Sequence, residues 1–220
     1  MALTYNPGVF AVQDIQQAMD IILTAEDSST AARWATETAY LADMIEQQIA
    51  IDTSTVLLDY GCGIGRMAKE LLDRHGCSVV GVDISPQMRM LGVAYVQSDR
   101  FMACAPEMLN SLLASGLRFD AAMSIWVLQH CLDPADDISL IRAALKPEGA
   151  FFVVNNKGRA VPTVEEAWVD DGLDVKSLLA GRFELQQEGQ LAAAKTTPLI
   201  SKHTFWARYK RASDARPTTS

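Results

Sequence analysis

Three glycines and a carboxylate make one stretch of this sequence suited to binding a charged small molecule. Residues 56–58 form a short apolar run, typical of a strand that is buried on both faces, and Asp59 follows that run directly. Gly61, Gly63 and Gly65 come next, and without Cβ atoms they allow a tight turn with a ligand lying against its backbone. A carboxylate in such a turn favours a cationic amine and repels a pyrophosphate.

The same glycines can be compared with the dinucleotide fingerprint G-x-G-x-x-G. Counted from Gly61, the third position is Arg66, which does not fit. Counted from Gly63, it is Ala68, which fits only a looser form of the fingerprint. A nicotinamide-dependent oxidoreductase therefore stays open as an alternative, as does a glycine-rich turn that binds nothing.

A second carboxylate ends the next predicted strand. Residues 78–83 read SVVGVD, an apolar run that closes on Asp83. The carboxyl ends of neighbouring parallel strands meet at one edge of a sheet, so we expect Asp83 near the glycine turn, where it can accept both hydroxyls of a ribose. The alternative role for Asp83 is to cap the helix that begins near Pro86.

Together with two later motifs, these residues carry a resemblance to a known family. The stretch D-Y-G-C-G-I-G resembles the acidic-x-G-x-G-x-G motif of class I S-adenosylmethionine-dependent methyltransferases. Residues 119–134 read F-D-x-x-x-S-x-x-V-L-Q-H-x-x-D-P and residues 145–149 read L-K-P-x-G, both typical of small-molecule enzymes of the methyltransferase-domain type. The matching motifs lie in the family's order along the chain.

The resemblance implies the fold, the cofactor and the reaction. The implied fold is α/β and Rossmann-like: a seven-stranded, mostly parallel sheet with an antiparallel last strand and helices on both faces. The implied cofactor is S-adenosyl-L-methionine, with S-adenosyl-L-homocysteine as product, and the methyl group goes to an O, N or C atom of a small-molecule acceptor. Because the cofactor supplies an activated methyl group, positioning can suffice without a metal or a dedicated base.

Roles for individual cofactor-binding residues also follow from the resemblance. Asp59 would lie near the methionyl end of the cofactor and Asp83 would hold the ribose. Ile84 would pack on the adenine, with Met88 from the following helix close by.

The third predicted strand ends in a departure from the family pattern. Family members commonly have an acidic residue that contacts the adenine amino group where Ala105 stands here. That contact then falls to the backbone of Ala105 or Pro106, or to the side chain of Glu107. The full predicted cofactor-binding set is Asp59, Gly61, Cys62, Gly63, Gly65, Asp83, Ile84, Met88, Ala105, Pro106, Glu107, Ser124 and Ile125.

Proton removal and acceptor binding have four candidate residues. His130 follows the fourth predicted strand and titrates near neutrality, so it is the candidate general base, although it could instead only shape its loop. Trp126 would form a wall of the cofactor or acceptor site, or belong to the core. Arg33 and Arg159 would bind a carboxylate of the acceptor or of the methionyl group, or would be solvated surface arginines.

The chain of 220 residues is long enough for one α/β domain. Apolar residues at helical spacing predict helices at residues 14–23 and at about residues 30–50, before the first strand. We therefore expect a helical cap at residues 1–52, a Rossmann-like core at residues 53–211 and a mobile tail at residues 212–220.

Composition limits the partners and the compartment. A net charge of −8 argues against a nucleic-acid-binding protein, which normally has a basic face. The first residues lack a basic region leading into an apolar core, and no apolar run reaches the length of a membrane span, so we expect a cytoplasmic protein. We also expect it to be monomeric or homodimeric.

The four scattered cysteines predict reduced thiols rather than a metal site. A methyltransferase of nucleic acid or protein and a non-catalytic cofactor-binding partner remain alternatives.

Overall fold

Strands and helices alternate along most of the chain, and the computed structural model describes residues 4–23 and 29–212. A short 3₁₀ turn at Pro7–Phe10 comes first. The elements that follow are, in chain order, α1 (Ile15–Ile22), α2 (Thr30–Gln48), β1 (Val56–Tyr60), α3 (Arg66–His75), β2 (Ser78–Val82), α4 (Pro86–Val96), β3 (Phe101–Cys104), α5 (Pro106–Ala114), β4 (Phe119–Ile125), α6 (Pro134–Ala144), β5 (Leu145–Asn156), α7 (Val175–Ala180), β6 (Glu184–Gly189), α8 (Pro198–His203) and β7 (Thr204–Lys210).

The strands form one seven-stranded sheet in the order β3-β2-β1-β4-β5-β7-β6. Strands β1 to β5 pair in parallel, whereas β7 is antiparallel to both β5 and β6. The predicted mostly parallel sheet with an antiparallel last strand is therefore confirmed. Asp59 of β1 stands opposite Gly81 of β2 and Met123 of β4, so the carboxyl ends of these three strands share one edge.

Successive side chains along each strand point to opposite faces of the sheet and so contribute to two hydrophobic cores, one on each face. Leu58 and Tyr60 belong to the core that is closed by α5, α6 and α7, and Leu57 belongs to the core that is closed by α2 and α3. The same alternation directs Asp59 to the α3 face. Asp59 and Tyr60, the last two residues of β1, therefore lie on opposite faces of the sheet.

The N-terminal helices have different places in the fold. Asp14 caps α1, with its carboxylate accepting a hydrogen bond from the Gln17 amide at 2.8 Å. Helix α1 packs on α2 and α4, whereas α2 packs on α3 and buries Leu41 and Ile45 in the core. Of the described N-terminal elements, α1 and the segment before it therefore lie over the carboxyl edge of the sheet, and α2 belongs mainly to a helix layer.

Two features in the carboxyl-terminal part of the chain are irregular or short. Strand β5 begins at Leu145, which pairs with Phe119, and residues 146–149 form a register shift within the strand. Helix α8 has six residues, too few to show a helical period in the sequence. The tail predicted at residues 212–220 lies outside the described residues except for residue 212.

Within the part of the chain that the structure describes, every helix is too short or too polar to traverse a lipid bilayer.

Candidate active site

A cavity of about 480 Å³ opens at the carboxyl ends of β1, β2 and β4. Its walls come from the loops that follow these strands and from residues of the N-terminal segment and α1, including Phe10, Ile21 and Ile22. This volume lies within the range of about 300–1,000 Å³ that small-molecule sites occupy. The position, beyond the strand ends of an open α/β sheet, is also where such folds bind ligands.

The glycine turn after β1 forms the floor of the cavity. The amides of Gly61 and Cys62 both donate to the carbonyl oxygen of Val82, at 2.7 and 3.0 Å, and so join the ends of β1 and β2. Gly61 has a φ of +79°, and a Cβ at this residue would lie 2.2 Å from Cγ2 of Val127. Both the backbone conformation and the close approach therefore require glycine at this position.

Replacing Gly61 by alanine is expected to lower the free energy of unfolding by about 2–5 kcal/mol. The left-handed backbone costs an L residue about 1–2 kcal/mol, and forcing a methyl group against Val127 adds about 1–3 kcal/mol. Gly172→Ala is the matched control, because Gly172 has a φ of +76° but no atom within 4 Å of the added Cβ. Urea unfolding of both variants measures the difference, and equal losses would contradict the steric role of Gly61.

Asp83 is held rigidly at the cavity wall, just beyond the end of β2. Its carboxylate accepts hydrogen bonds from the amides of Gly63, at 2.8 Å, and Ser85, at 2.9 Å. Burial raises the pKa of Asp83, while these two amides and Arg89 act in the opposite direction. The N-cap of α4 is Ser85, whose Oγ accepts from the Met88 amide at 3.3 Å, so the alternative that Asp83 caps this helix is wrong. Two carboxylate oxygens retain lone pairs for a ligand.

Asp59 is a buried carboxylate on the same wall, with a relative exposure of 3%. Burial, followed by the charge of Asp83, raises the pKa of Asp59 to about 7. The guanidinium of Arg66 and the amide of Ala68 oppose that rise. A cationic group in the cavity would stabilise the ionised form of Asp59 and lower this pKa.

His130 also lines the cavity, and its two ring nitrogens have different partners. Nδ1 lies 2.6 Å from the carbonyl oxygen of Ala160, and Nε2 lies 3.1 Å from the side-chain amide nitrogen of Gln129. Because a carbonyl only accepts, Nδ1 carries the proton and the lone pair of Nε2 accepts a hydrogen bond from the Gln129 side chain. Burial lowers the pKa of His130, with Arg159 adding to the effect and the Ala160 hydrogen bond opposing it. A neutral imidazole can take a proton at pH 7 through Nε2 once the Gln129 side chain turns away.

Trp126 follows β4 in a left-handed conformation, with a φ of +57°. Its amide donates to the carbonyl of Val154 at 2.7 Å, which fixes the backbone beside β5. Unfavourable backbone conformations of this kind are concentrated at functional sites. The Trp126 side chain both lines the cavity and packs against the core, so its two predicted roles coexist.

A roof over His130 comes from two segments that are distant in sequence. The Asn6 amide donates to the Pro162 carbonyl, and the Val164 amide donates to the Thr4 carbonyl, both at 2.9 Å. These bonds place the rings of Phe10 and Trp168 with their centroids 5.9 and 5.1 Å from that of His130. The N-terminal segment and the connection after β5 therefore form the apolar part of the site together.

Comparison with known proteins decides the family. Residues 29–176, more than half of the chain, match the model of the family described as methyltransferase domain. The chain belongs to this family. It is a class I S-adenosylmethionine-dependent methyltransferase, and the predicted family, fold class, enzyme class and cofactor are confirmed.

Individual proteins show the same likeness. The methyltransferase is 33% identical over 120 residues to the ubiquinone biosynthesis O-methyltransferase of Cereibacter sphaeroides, covering 51% of this chain and 47% of that protein. It is 26% identical over 183 residues to the tRNA U34 carboxymethyltransferase of Methylococcus capsulatus, covering 77% and 56%. A geranyl diphosphate C-methyltransferase structure from Streptomyces coelicolor A3(2), in complex with Mg²⁺, geranyl diphosphate and S-adenosyl-L-homocysteine, has a TM-score of 0.61 at 15% identity over 79% of this chain and 80% of its own. The chain spans about half the length of the curated relatives it matches.

Many of the residues predicted from the sequence lie together on the cavity wall of the methyltransferase. They come from the ends of β1, β2 and β4 and from the loops that follow, and their roles stay predictions. These residues are Asp59, Gly61, Cys62, Gly63, Asp83, Ile84, Met88, Pro106, Ile125, Trp126 and His130.

Four predicted cofactor-binding residues lie away from the lining. Gly65 precedes α3, and a Cβ there would lie 2.6 Å from Cγ2 of Val96. Ala105 is the N-cap residue of α5, and the side chain of Glu107 in its first turn is exposed. Ser124 is fully buried within β4. We therefore retain Gly65 as a determinant of the turn, the predicted backbone contact of Ala105 stays a prediction, and we no longer assign side-chain contacts to Glu107 and Ser124.

The two arginines predicted to bind an acceptor are buried, and each forms an ion pair. Arg33 contacts Glu37, Nε to Oε1 at 2.7 Å. Arg159 contacts Asp171 at 3.1 Å and donates to the carbonyl of Leu128 at 2.8 Å. Neither arginine lines the cavity, and neither is the solvated surface residue of the alternative prediction, since their exposures are 6% and 5%. We therefore remove both from the proposed acceptor site.

Sequence reasoning does not identify six polar residues that line the cavity: Tyr5, Tyr60, Arg66, Asp133, Asp136 and Asp137. The Tyr60 hydroxyl donates to the Asp137 carboxylate, and burial raises the pKa of both groups. Tyr5 reaches the site because it pairs with Thr163, and burial raises its pKa to about 12. Two of the six have a sequence signal, because Arg66 directly follows the glycine turn and Asp133 belongs to the motif at residues 119–134.

Proposed function

We propose that this methyltransferase moves the methyl group of S-adenosylmethionine to a hydroxyl oxygen of a small, largely apolar acceptor. The observation that carries the proposal is one cavity with three features on its wall: two carboxylates from adjacent strand ends and a neutral histidine. The 33% identity to an enzyme named an O-methyltransferase supports oxygen as the methylated atom. Nitrogen and carbon remain the alternatives.

The residues on the wall fit the cofactor. Asp83 offers free lone pairs to the ribose hydroxyls, since two backbone amides already fix its orientation. Asp59 provides a negative charge for the methionyl amino group. Gly63 has no side chain that could cover the backbone of the turn. A Cβ at this position would lie 2.6 Å from Cδ1 of Ile22. The half-exposed Ile84 and Pro106 supply an apolar surface for the adenine.

His130 would remove the proton that an acceptor hydroxyl must lose. When bound, the cofactor supplies an electrophilic methyl group, so the protein need only hold the oxygen in line and accept its proton. The lone pair of Nε2, which accepts from the Gln129 side chain without ligand, would take the proton, and the hydrogen bond from Nδ1 to Ala160 would stabilise the resulting imidazolium. The buried Oε1 of Gln129 has no hydrogen-bond partner among the described residues, so an amide flip would present it to the protonated Nε2.

The surroundings of His130 indicate an apolar, ring-containing acceptor. Phe10, Ile21 and Trp126 line the same cavity, and Trp168 packs on the His130 ring. Aromatic rings favour stacked or edge-to-face partners. We therefore propose a hydroxylated aromatic compound as the acceptor class. A cytoplasmic location and a monomeric or dimeric state remain predictions.

The test is transfer of label from methyl-labelled S-adenosylmethionine by the purified protein. We expect label in one or more members of a panel of phenols and catechols, and none in added RNA or protein. Label confined to a macromolecule would refute the small-molecule assignment. A protein that binds S-adenosylhomocysteine but transfers no label, even to a complete metabolite extract, would be a non-catalytic partner. Tight binding of NAD instead would support the oxidoreductase alternative.

Binding of S-adenosylhomocysteine at pH 6 should release a proton from Asp59. Without ligand the pKa of Asp59 is about 7, so the carboxyl is mostly protonated at pH 6. A cationic amino group beside it favours the ionised form and lowers this pKa, so affinity should rise as the pH approaches 7 and then level off. Calorimetry at pH 6 in two buffers of different ionisation enthalpy measures the released proton.

Two variants isolate the contribution of Asp59. Asp59→Asn should lose the buffer-dependent part of the binding heat. Asp73→Asn should retain it, because the Asp73 side chain is 64% exposed and lies further along α3. Equal buffer dependence in the wild type and in Asp59→Asn would show that another group releases the proton.

A further inference from the structure

Arg159 is a buried cation that holds the loop carrying His130. Its Nη1 donates to the carbonyl oxygen of Leu128 at 2.8 Å, and its Nη2 lies 3.5 Å from the carbonyl oxygen of Leu132. These two carbonyls lie on either side of His130 in the sequence. One guanidinium therefore spans the loop, and its planar fork of N–H groups favours a single arrangement of the two carbonyls.

The next residue, Ala160, fixes the same loop through its backbone. Its amide donates to the carbonyl oxygen of Gln129 at 2.9 Å, and its carbonyl oxygen accepts the hydrogen bond from Nδ1 of His130. The backbone amide of Gln129 donates in turn to Oδ1 of the fully buried Asn155, at 3.1 Å. Residues 159 and 160 thus determine where the imidazole lies and which of its nitrogens carries the proton.

An ion pair holds the charge of Arg159 beside this loop. Its Nε and Nη2 contact the two carboxylate oxygens of Asp171, each at 3.1 Å. The Arg159 side chain is 0% exposed and that of Asp171 is 32% exposed, so solvent screens the carboxylate more than the guanidinium. Burial lowers the pKa of His130, and the positive charge of Arg159 adds to that effect.

The other groups around His130 are uncharged or stay the same in every variant described below. The rings of Phe10 and Trp168 pack on the imidazole and carry no charge. Burial raises the pKa of the Cys131 thiol, so this neighbour on the loop is neutral at pH 7. The arginine and the carboxylates of the cavity itself are Arg66, Asp59, Asp83, Asp133, Asp136 and Asp137.

We propose that Arg159 is a positioning residue for His130, which holds the histidine loop in one arrangement and whose positive charge keeps the imidazole unprotonated and so able to act as a base. This inference rests on the proposed function, because that function gives His130 its role. It adds a residue behind the cavity wall that sets the pH range in which the methyltransferase works.

The test is an NMR titration of His130 in protein labelled with ¹³C and ¹⁵N at its three histidines. The His130 signal is the one missing from His130→Gln, and its ¹⁵N shifts identify the protonated nitrogen. In the wild type we expect the Nδ1–H form at neutral pH and a titration midpoint below 6.5.

Two substitutions of Arg159 separate its charge from its hydrogen bonds. Arg159→Met should move the His130 midpoint to higher pH, because the repelling charge is gone. Arg159→Lys should keep the midpoint near that of the wild type, because lysine retains the charge and loses the fork. In both variants the Nε2–H form should become detectable, because the fork no longer fixes the loop.

Asp171→Asn distinguishes the effect of charge from a general loosening of the loop. It removes the carboxylate that partly neutralises Arg159, so the His130 midpoint should move to lower pH, opposite to the shift in Arg159→Met. Loosening alone would expose the imidazole to water and raise the midpoint in both variants. Arg118→Met is the control and should leave the midpoint unchanged, since Arg118 is exposed and donates to backbone carbonyls near the end of α5.

Each outcome decides a separate question. An unchanged midpoint in Arg159→Met, or a midpoint that does not fall in Asp171→Asn, overturns the role of the charge. An Nδ1–H form that persists alone in both Arg159 variants overturns the positioning role. All of these results leave the proposed function intact, whereas wild-type turnover in His130→Gln would contradict the proposed base without any change in the titration.

The His75 signal reports whether each variant is folded. His75 is on α3, with Nε2 2.9 Å from Oε1 of Glu46, and its signal should keep its wild-type position in every variant. Should Arg159→Met fail to fold, Asp171→Asn still decides the role of the charge and Arg159→Lys still decides the positioning role.

Discussion

A His130→Gln variant should lose about 100- to 10,000-fold in methyl-transfer turnover, the range that a positioned general base contributes. The imidazole of His130 is a titratable group on the cavity wall, and its Nδ1 donates to the Ala160 carbonyl at 2.6 Å. This hydrogen bond leaves Nε2 as the ring nitrogen without a proton. Glutamine can donate and accept hydrogen bonds but cannot take up the proton. Affinity for S-adenosylhomocysteine should stay within about twofold, because His130 is assigned to the acceptor.

The pH profile separates a base from a residue that only shapes its loop. Burial holds the pKa of His130 below its ordinary value of 6.5, so the wild-type rate should be flat above pH 7 and fall on the acid side as the imidazole takes a proton. His130→Gln should lose that acid limb, and His203→Gln, at an exposed position at the end of α8, should keep it. Wild-type turnover in His130→Gln would show that the acceptor needs no base.

Asp83→Asn should weaken binding of S-adenosylhomocysteine by about 10- to 100-fold. Each hydrogen bond to a charged group contributes about 1.5–3 kcal/mol, and the asparagine keeps only one acceptor oxygen for the amides of Gly63 and Ser85 and for the ribose. The loss should appear in affinity rather than in the turnover at saturating cofactor. Calorimetry with S-adenosylhomocysteine measures it.

Asp52→Asn is the matched control for Asp83. The Asp52 carboxylate makes a similar local turn, accepting from the Ser54 amide at 2.8 Å, but it is exposed and precedes β1 at the opposite end of the strand. We expect wild-type affinity in Asp52→Asn. Unchanged affinity in Asp83→Asn would remove Asp83 from the ribose site, and urea unfolding of both variants shows whether a loss of affinity reflects a loss of stability.

The residues at strand ends could be predicted because parallel topology brings them together. Asp59, Asp83 and Trp126 each follow an apolar run, and neighbouring parallel strands end at one edge of the sheet. Predicting that these residues share the cavity wall required only the correct strands and their order in the sheet. The glycine turn was predictable for a similar reason, because its spacing leaves little freedom in the backbone.

Residues that reach the site through long-range packing could not be predicted. Tyr5 is brought over the cavity by pairing with Thr163, about 160 residues later, and no local pattern encodes this contact. Tyr60 meets Asp137 across the sheet edge only because α6 begins there.

The ion pairs of Arg33 and Arg159 differ in how far the sequence indicates them. Arg33 and Glu37 are four residues apart on one helical face, a spacing at which an ion pair is expected, so the sequence held this signal. Arg159 and Asp171 meet through an irregular connection, where spacing carries no such information. Sequence reasoning considered Arg66 only as a residue that does not fit the dinucleotide fingerprint. Its position on the cavity wall at the start of α3 was therefore not predicted.

A crystal structure with S-adenosylhomocysteine tests the central claim most directly. The account predicts the ribose hydroxyls within about 2.5–3.2 Å of the Asp83 carboxylate oxygens, with the amino group of the ligand beside Asp59. A ligand bound away from the ends of β1 and β2, or a dinucleotide occupying that crevice instead, would contradict it.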